Sequence, residues 1–323
     1  MTKLSRRALL AGIGSMPWVA SAAAQEWPAR SIRILVPSAP GGYDTYARIM
    51  APKLSEKLGQ PVYVENKPGA NGIIGMSEVQ RAAPDGYTIM FAHSGALTIN
   101  ASIVKNMPLD TLVDLSPLGV PVTVPMIWVA NPDSRFKELK DIVTVARAEP
   151  GKIDYANPSN GSLPHLIFEA FKQRHGLNIV SIPFNGTPAA QQEVVAGRIP
   201  LMVDSLGAGW GHIEGKRTRV LAVTQKQRAA ALPDVPTTFE LGLEDREFTG
   251  WYGMLAPKNL PPAIGAKLVA AINATMADAD TMARIAKLGA QTQRSGPEEL
   301  RTLMVAERDM LGKIARGAGL EPK

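Results

Sequence analysis

Short apolar runs alternating with amphipathic helical stretches constrain this chain more than any other feature. Ile32 to Pro37 (IRILVP) suits a strand buried on both faces. Asp44 to Leu58 carries helical spacing, with Ala47, Met50, Ala51, Leu54 and Leu58 on one side and Gly59 placed to end it. Val62 to Glu65 reads as strand, Gly72 to Ala82 as helix and Tyr87 to Ala92 as strand. A βαβαβ order of this kind predicts a parallel sheet covered by helices.

The rhythm restarts after Pro121. Strands are expected at Met126–Ala130, Ile153–Ala156, Ile179–Pro183, Leu201–Asp204 and Val220–Thr224, as a second parallel set. Helices are expected at Phe136–Ala148, Leu163–His175 and Pro188–Ala196. Phe248 to Ala256 reads as one more strand, and everything from Pro261 onward as helix. The fold class is therefore α/β, with two parallel-rich units, a cleft between them and a helical tail returning to pack on the first. Neither an internal repeat nor a low-complexity tract interrupts this pattern.

The turns after the expected strands share a chemistry. Pro37 to Asp44 holds Ser38, the Gly41-Gly42 pair, Tyr43 and Asp44, with Asp44 placed to cap the next helix. Ser94-Gly95-Ala96 follows the third strand, while Ser159, Gly161 and Ser162, then Asn185, Gly186 and Thr187, follow strands of the second unit. Ligands of open α/β sheets bind beyond the carboxyl ends of the strands. Backbone N–H groups at helix starts, with the helix dipole behind them, favour an anion there. Small hydroxyl- and glycine-bearing turns suit a carboxylate better than a phosphate, which calls for Arg and Lys.

The N-terminus fits export. Lys3, Arg6 and Arg7 precede an apolar stretch from Ala8 to Ala20, and Ala22-Ala23-Ala24 offers a cleavage site before Gln25. Ser5-Arg6-Arg7-Ala8-Leu9-Leu10 resembles a twin-arginine leader; an ordinary secretory leader is the alternative. Residues 1–24 are accordingly expected as a leader, 25–125 with 248–323 as one lobe, and 126–247 as the other. With no Cys, the chain has neither disulfides nor an acylation site for a lipid anchor. Its formal charge of +6 falls once Lys3, Arg6 and Arg7 leave, and its basic residues are scattered. That pattern excludes a nucleic-acid stripe.

Enzymatic readings fail on spacing. There is no G-x-S-x-G elbow. Ser102-Ile103-Val104-Lys105 and Ser134-Arg135-Phe136-Lys137 match S-x-x-K but lack the partner motifs of penicillin-interacting enzymes. The glycines between Gly69 and Gly75 are wrongly spaced for a dinucleotide loop, and Gly211 to Lys216 is one residue short of a phosphate-binding loop. His93, His165, His175 and His212 do not pair at metal-ligand spacing. No cofactor or metal is expected. His165 either contacts ligand or plays a structural role, and Trp251-Tyr252 belongs to hinge or core, or else to a wall of the cleft.

From Trp27 to Pro322 the chain resembles the Bug-type periplasmic solute-binding proteins of tripartite tricarboxylate transporters. The matching segments include Trp27-Pro28-Ala29-Arg30-Ser31-Ile32, the Gly41-Gly42 loop with Asp44 and Ala47-Arg48, and Gly59-Gln60-Pro61-Val62. Val64 to Ala70, Ala82 to Thr88, Pro150-Gly151-Lys152, Leu232 to Thr237 and Ala256-Pro257 continue the series. The resemblance implies a type II periplasmic-binding fold that closes on a small organic carboxylate and hands it to permease subunits. It implies a monomer, and ligand contacts from Ser38 to Asp44, Ser94 to Ala96, Gly161-Ser162, His165, Gly186-Thr187 and Asp204. A ligand sensor for a membrane receptor is the alternative, and an exported enzyme a further one. One departure stands out: the family has two residues between the glycine pair and the Asp, and this chain has only Tyr43. Tyr43 either stacks on a planar ligand, or caps the cleft or points to solvent.

Overall fold

The computed structural model describes residues 26–40 and 43–320. The expected leader at 1–24, Gln25 and the Gly41-Gly42 pair lie outside the described residues. The first unit begins with β1 (Ile32–Val36), α1 (Asp44–Leu58), β2 (Val62–Asn66), α2 (Ile73–Arg81) and β3 (Thr88–His93). A π-helical turn at Gly95–Ile99 leads into α3 (Asn100–Ile103), and then β4 runs unbroken from Leu115 to Ala130. The second unit follows as α4 (Leu139–Ala148), β5 (Asp154–Asn157), α5 (Leu163–His175), β6 (Val180–Pro183), α6 (Thr187–Val195), β7 (Leu201–Ser205), α7 (Leu206–Glu214) and β8 (Arg219–Val223). The chain ends with β9 (Thr249–Pro257), α8 (Pro262–Met276), α9 (Ala279–Ala286), β10 (Gln291–Thr292) and α10 (Pro297–Gly317).

The strands are ordered β2-β1-β3-β9-β4-β7-β5-β6, with β8 and β10 also on β4. β1, β2 and β3 are mutually parallel, as are β5, β6 and β7. β4 is antiparallel to β7, β8 and β9, which corrects the expectation that Met126–Ala130 belongs to the parallel set, whereas β8 pairs with β4 but points the same way as β7. Residues Leu115 to Pro125 pair with β9, whereas Met126 to Ala130 pair with β7 and β8, so one strand serves both lobes. Its first half looks like loop because Pro117, Gly119, Pro121 and Pro125 interrupt it. Irregular register around Pro117–Val122 absorbs them, and Gly119 (φ +151°) lies where an added Cβ would sit 2.9 Å from the Ser295 carbonyl.

Helix boundaries follow local chemistry. α4 begins at Leu139, not Phe136, because Asp141 accepts from the Glu138 amide at 2.8 Å in a reciprocal cap. α5 begins after Ser162, whose hydroxyl accepts from the His165 amide, and ends at left-handed Gly176. β10 is a short strand inside the stretch expected to be wholly helical.

One core fills the first lobe around Ile34, Met50, Phe91 and Met254. The second lobe packs around Trp128, Tyr155, Phe168 and Phe171, with Trp128 4.8 Å from both phenylalanine rings. α10 belongs to both. Leu300 and Met304 pack with first-lobe residues, while Leu311, Ile314 and Ala315 join the Trp128 core. The tail thus bridges the lobes and is not confined to the first.

Candidate functional site

A cavity of about 260 Å³ lies between the two lobes. The second lobe brings it the starts of three helices, each fed by a parallel strand. These are Ser159 and Ser162 before α5, Gly186 and Thr187 at α6, and Asp204 with Ser205 at α7. The first lobe brings Tyr43 at the start of α1, Asn71, and His93 with Ser94 after β3. Val124 and Met126 of β4 and Gly250 to Tyr252 of β9 form the floor where the lobes join.

No Lys or Arg lines the cavity among the described residues. Any favourable field for an anion comes from helix starts, whose first N–H groups have no partner inside their own helix. α5 and α6 each carry Pro at the second position, Pro164 and Pro188, which fixes the turn without removing an intrahelical bond. Neutral donors at fixed positions recognise a carboxylate with little reorganisation.

His93 and His165 each hold a backbone amide in place. The Ala96 amide donates to His93 Nδ1 at 3.2 Å, so the neutral ring carries its proton on Nε2. Burial lowers His93 to a pKa of about 4, which keeps it neutral at ordinary pH. His165 accepts from the Gly161 amide at 3.0 Å, is likewise lowered by burial to about 4, and does not line the cavity. Its work is to hold the Gly161 turn, where φ is +75° and an added Cβ would collide with Ile103 Cδ1.

Asp204 is the one carboxyl on the wall among the described residues, and it is 2% exposed. Gln191 Nε2 donates to Oδ2 at 2.7 Å, and the Ser205 amide donates to Oδ1 at 2.7 Å. Burial outweighs those donors and pushes its pKa up to about 7.

Tyr43 is not directed into solvent. Its ring stacks on Tyr252 (centroids 5.2 Å apart, planes 21° apart) and meets His93 edge-on at 5.3 Å. Burial raises the Tyr43 phenol well above its ordinary pKa. Phe91 stacks on the same Tyr252, and Tyr46 tilts against it, so an aromatic block backs this end of the cavity.

Of the residues expected at the site, Tyr43, Ser94, Ser159, Ser162, Gly186, Thr187 and Asp204 line the cavity together. Ser38, Asp44, Gly95, Ala96, Gly161, His165 and Asn185 do not. Asp44 is the first residue of α1, not its cap; Tyr43 takes the cap position, and the buried Asp44 carboxylate pairs with Arg48 Nε at 3.0 Å. Gly95 and Ala96 are enclosed in the π-helical turn, where the Ala96 amide is committed to His93. The Ser38 hydroxyl donates to its neighbour's carbonyl, and Asn185 is exposed. Asn71 gave no signal in the sequence; it sits at positive φ, cross-bonded to Asn100. Trp251 and Tyr252 are wall as well as core, since β9 passes between β3 and β4 under the cavity.

Among the described residues no group of three acidic or histidine side chains is placed to hold a metal, and no helix is long and apolar enough to cross a membrane. Residues 46–320 match the model of the tripartite tricarboxylate transporter family receptor, TctC. A Pseudomonas sp. (strain P51) protein described from the tcbD-tcbE intergenic region is 34% identical over 97% of this chain and 95% of its own length. The structure of the periplasmic binding protein BugD superposes with a TM-score of 0.80 at 32% identity, covering 92% of this chain and all of that one. R. palustris Rpa4515, solved with adipate, superposes with a TM-score of 0.84 at 29% identity, covering 92% of this chain and 100% of that one. The chain belongs to the tripartite tricarboxylate transporter receptor family, with the two-lobed α/β fold of its periplasmic binding proteins.

Proposed function

We propose that this chain is an exported receptor that takes up one small organic carboxylate between its lobes and presents it to the permease subunits of a tripartite tricarboxylate-type transporter. The observation that carries this reading is the cavity wall. Helix starts from the second lobe and the His93-Ser94 turn of the first converge on it without a cationic side chain among the described residues. The adipate held by a relative agrees with it.

Binding proceeds by closure. The lobes meet at two adjacent crossings, Pro125-Met126 in β4 and Phe248-Thr249 leading into β9. Phe248 packs in the second-lobe core while Thr249 pairs with Pro125, which supports a second crossing between these two residues. The Thr224 hydroxyl meets the carbonyls of both Met126 and Phe248, tying the two crossings together. A ligand touching both walls favours the closed form over the open one by its extra contacts. On this reading the leader is removed on export, the mature receptor acts as a monomer, and no bond is made or broken in the ligand.

A thermal-shift screen after unfolding and refolding, to strip any retained ligand, tests this. A true carboxylate ligand at 100 times its dissociation constant stabilises the protein by about 2.7 kcal/mol. In a chain of this size that is an upward shift of several degrees. If every mono-, di- and tricarboxylate fails while a sugar or a cation raises the midpoint, the ligand class is wrong.

A further inference from the structure

We propose that the cavity selects a monocarboxylate whose far end carries a hydrogen-bond donor, a hydroxyl, an amine or a ring N–H, seated on Asp204, and that it disfavours dicarboxylates. This rests on the carboxylate reading above and narrows it.

The argument begins with Gln191. Its Nε2 lies 2.7 Å from Asp204 Oδ2 and 2.9 Å from the carbonyl oxygen of Ala208. A backbone carbonyl only accepts, so the nitrogen end of the amide faces both groups, and Gln191 donates to Asp204. The Ser205 amide is likewise only a donor, and it serves the other carboxyl oxygen. Every protein group bonded to Asp204 therefore treats it as an acceptor. Two such donors fix the carboxyl plane and leave its remaining lone pairs for something that can donate.

Charge placement then decides what that is. Asp204 stands at the start of α7, where a ligand anion would otherwise sit, so its own carboxyl occupies that end of the helix field. The starts of α5 and α6, at Ser162 and at Gly186-Thr187, remain for the ligand's carboxylate. Above a pH of about 7, where Asp204 is ionised, a second ligand carboxylate pressed toward it meets a like charge on a wall with no Lys or Arg among the described residues. A buried acid facing a second acid without a cation is strongly unfavourable. The Tyr252 phenol, which lines the cavity and senses the Asp204 charge, stays un-ionised through burial and so adds no charge to the wall. A ligand donor satisfies Asp204 directly, and rejecting the acidic analogue is how such a site gains specificity.

Two matched sets of probes test this by calorimetric titration of refolded protein at a pH one unit or more above the Asp204 pKa of about 7. One set is hexanoate, 6-hydroxyhexanoate, 6-aminohexanoate and adipate; the other is benzoate, 4-hydroxybenzoate, 4-aminobenzoate and terephthalate. In whichever set binds, the donor-bearing members are expected to bind at least tenfold more tightly than both the parent acid and the diacid. Asp204→Asn, which keeps the shape but can accept from only one of Gln191 and the Ser205 amide, is expected to shrink the donor-to-diacid ratio at least tenfold. Ligand released from freshly purified, unrefolded protein and weighed by mass spectrometry gives a reading independent of the variant's folding. A hydroxy-, amino- or N–H-bearing monocarboxylate supports the proposal. A diacid that co-purifies, or binds as tightly as the donor-bearing acids, overturns it while leaving the carboxylate reading intact. Silence from all eight probes, together with a non-carboxylate co-purifying, overturns both.

Discussion

Trp128→Ala is expected to destabilise the protein by about 4 kcal/mol, the usual cost of emptying a large aromatic site in a packed core. Trp128 is 2% exposed, sits between Phe168 and Phe171, and lies in the half of β4 that pairs with both β7 and β8. Phe168 in turn stacks face to face on Tyr155 at 3.7 Å, so one truncation loosens a continuous aromatic column. For a chain of this length the melting temperature should fall by roughly 8 °C. Trp128→Phe is the informative comparison. The indole Nε1 is buried without a partner, and removing an unsatisfied donor offsets part of the lost volume. A loss of about 1 kcal/mol or less is expected for Phe. Equal losses for the two variants in urea unfolding would show that the column does not carry the stability assigned to it. Met126, two residues earlier on the strand and on the cavity floor, gives the Ala variant a route to weaker binding as well.

The second large effect is concealed in the native chain. Burial pushes Asp204 and Glu307 up to about 7, with Gln191 and Trp251 as opposing donors. Glu307 is only half-buried as a residue, but its Oε2 is enclosed and unpartnered while Oε1 accepts from Trp251 Nε1 at 2.8 Å. Both acids hold protons in the folded chain that the unfolded chain has released. Their contribution is full below the unfolded values and is lost as pH rises through about 7. His93 and His165 act in the opposite sense. Burial lowers them to about 4, so their contribution is full above the unfolded value and is lost as pH falls toward 4.

Between pH 5 and 6 the two pairs nearly cancel, and native stability should change by less than about 1 kcal/mol. Asp204→Asn combined with Glu307→Gln removes one side of the balance. The double variant should then gain roughly 1–2 kcal/mol per pH unit from 5 to 6, or about 2–3 °C. Glu244, raised by burial, and His212, lowered by it, pull in opposite directions and are present in both proteins. Asp110, held low by Arg308, acts only at more acidic pH. Parallel scanning calorimetry profiles for the native and doubly substituted chains over this range would refute the balance.

The elements that the sequence made legible are those whose signals are local. α1 and α5 fall where their apolar spacing and their terminal glycines, Gly59 and Gly176, put them. β5, β6 and β7 fall where short strands are expected, and their ends and following turns supply Ser159, Ser162, Thr187 and Asp204 to the cavity. Long-range effects were not legible. β4 is a strand through three prolines because its partners tolerate irregular register, and nothing within Leu115–Pro125 announces those partners. Asp44 looked like a cap, but its buried carboxylate pairs with the half-exposed Arg48 instead. The Ala96 amide looked available to a ligand, but His93 takes it. Trp251 and Tyr252 reach the wall only because a strand nearly 160 residues later in the chain pairs with β3.

The bridging of the lobes by α10 has a practical corollary. Glu26 is tied by Lys267 to α8 on the first lobe, whereas Leu320, just past α10, packs against the second-lobe core. Positions close to the two limits of the described chain therefore pack on different lobes. Because the sequence contains no cysteine, one thiol introduced beside each would be labelled without background. A donor and acceptor dye attached there would read the separation of the lobes as a single distance, with no probe inside the cleft to compete with its occupant.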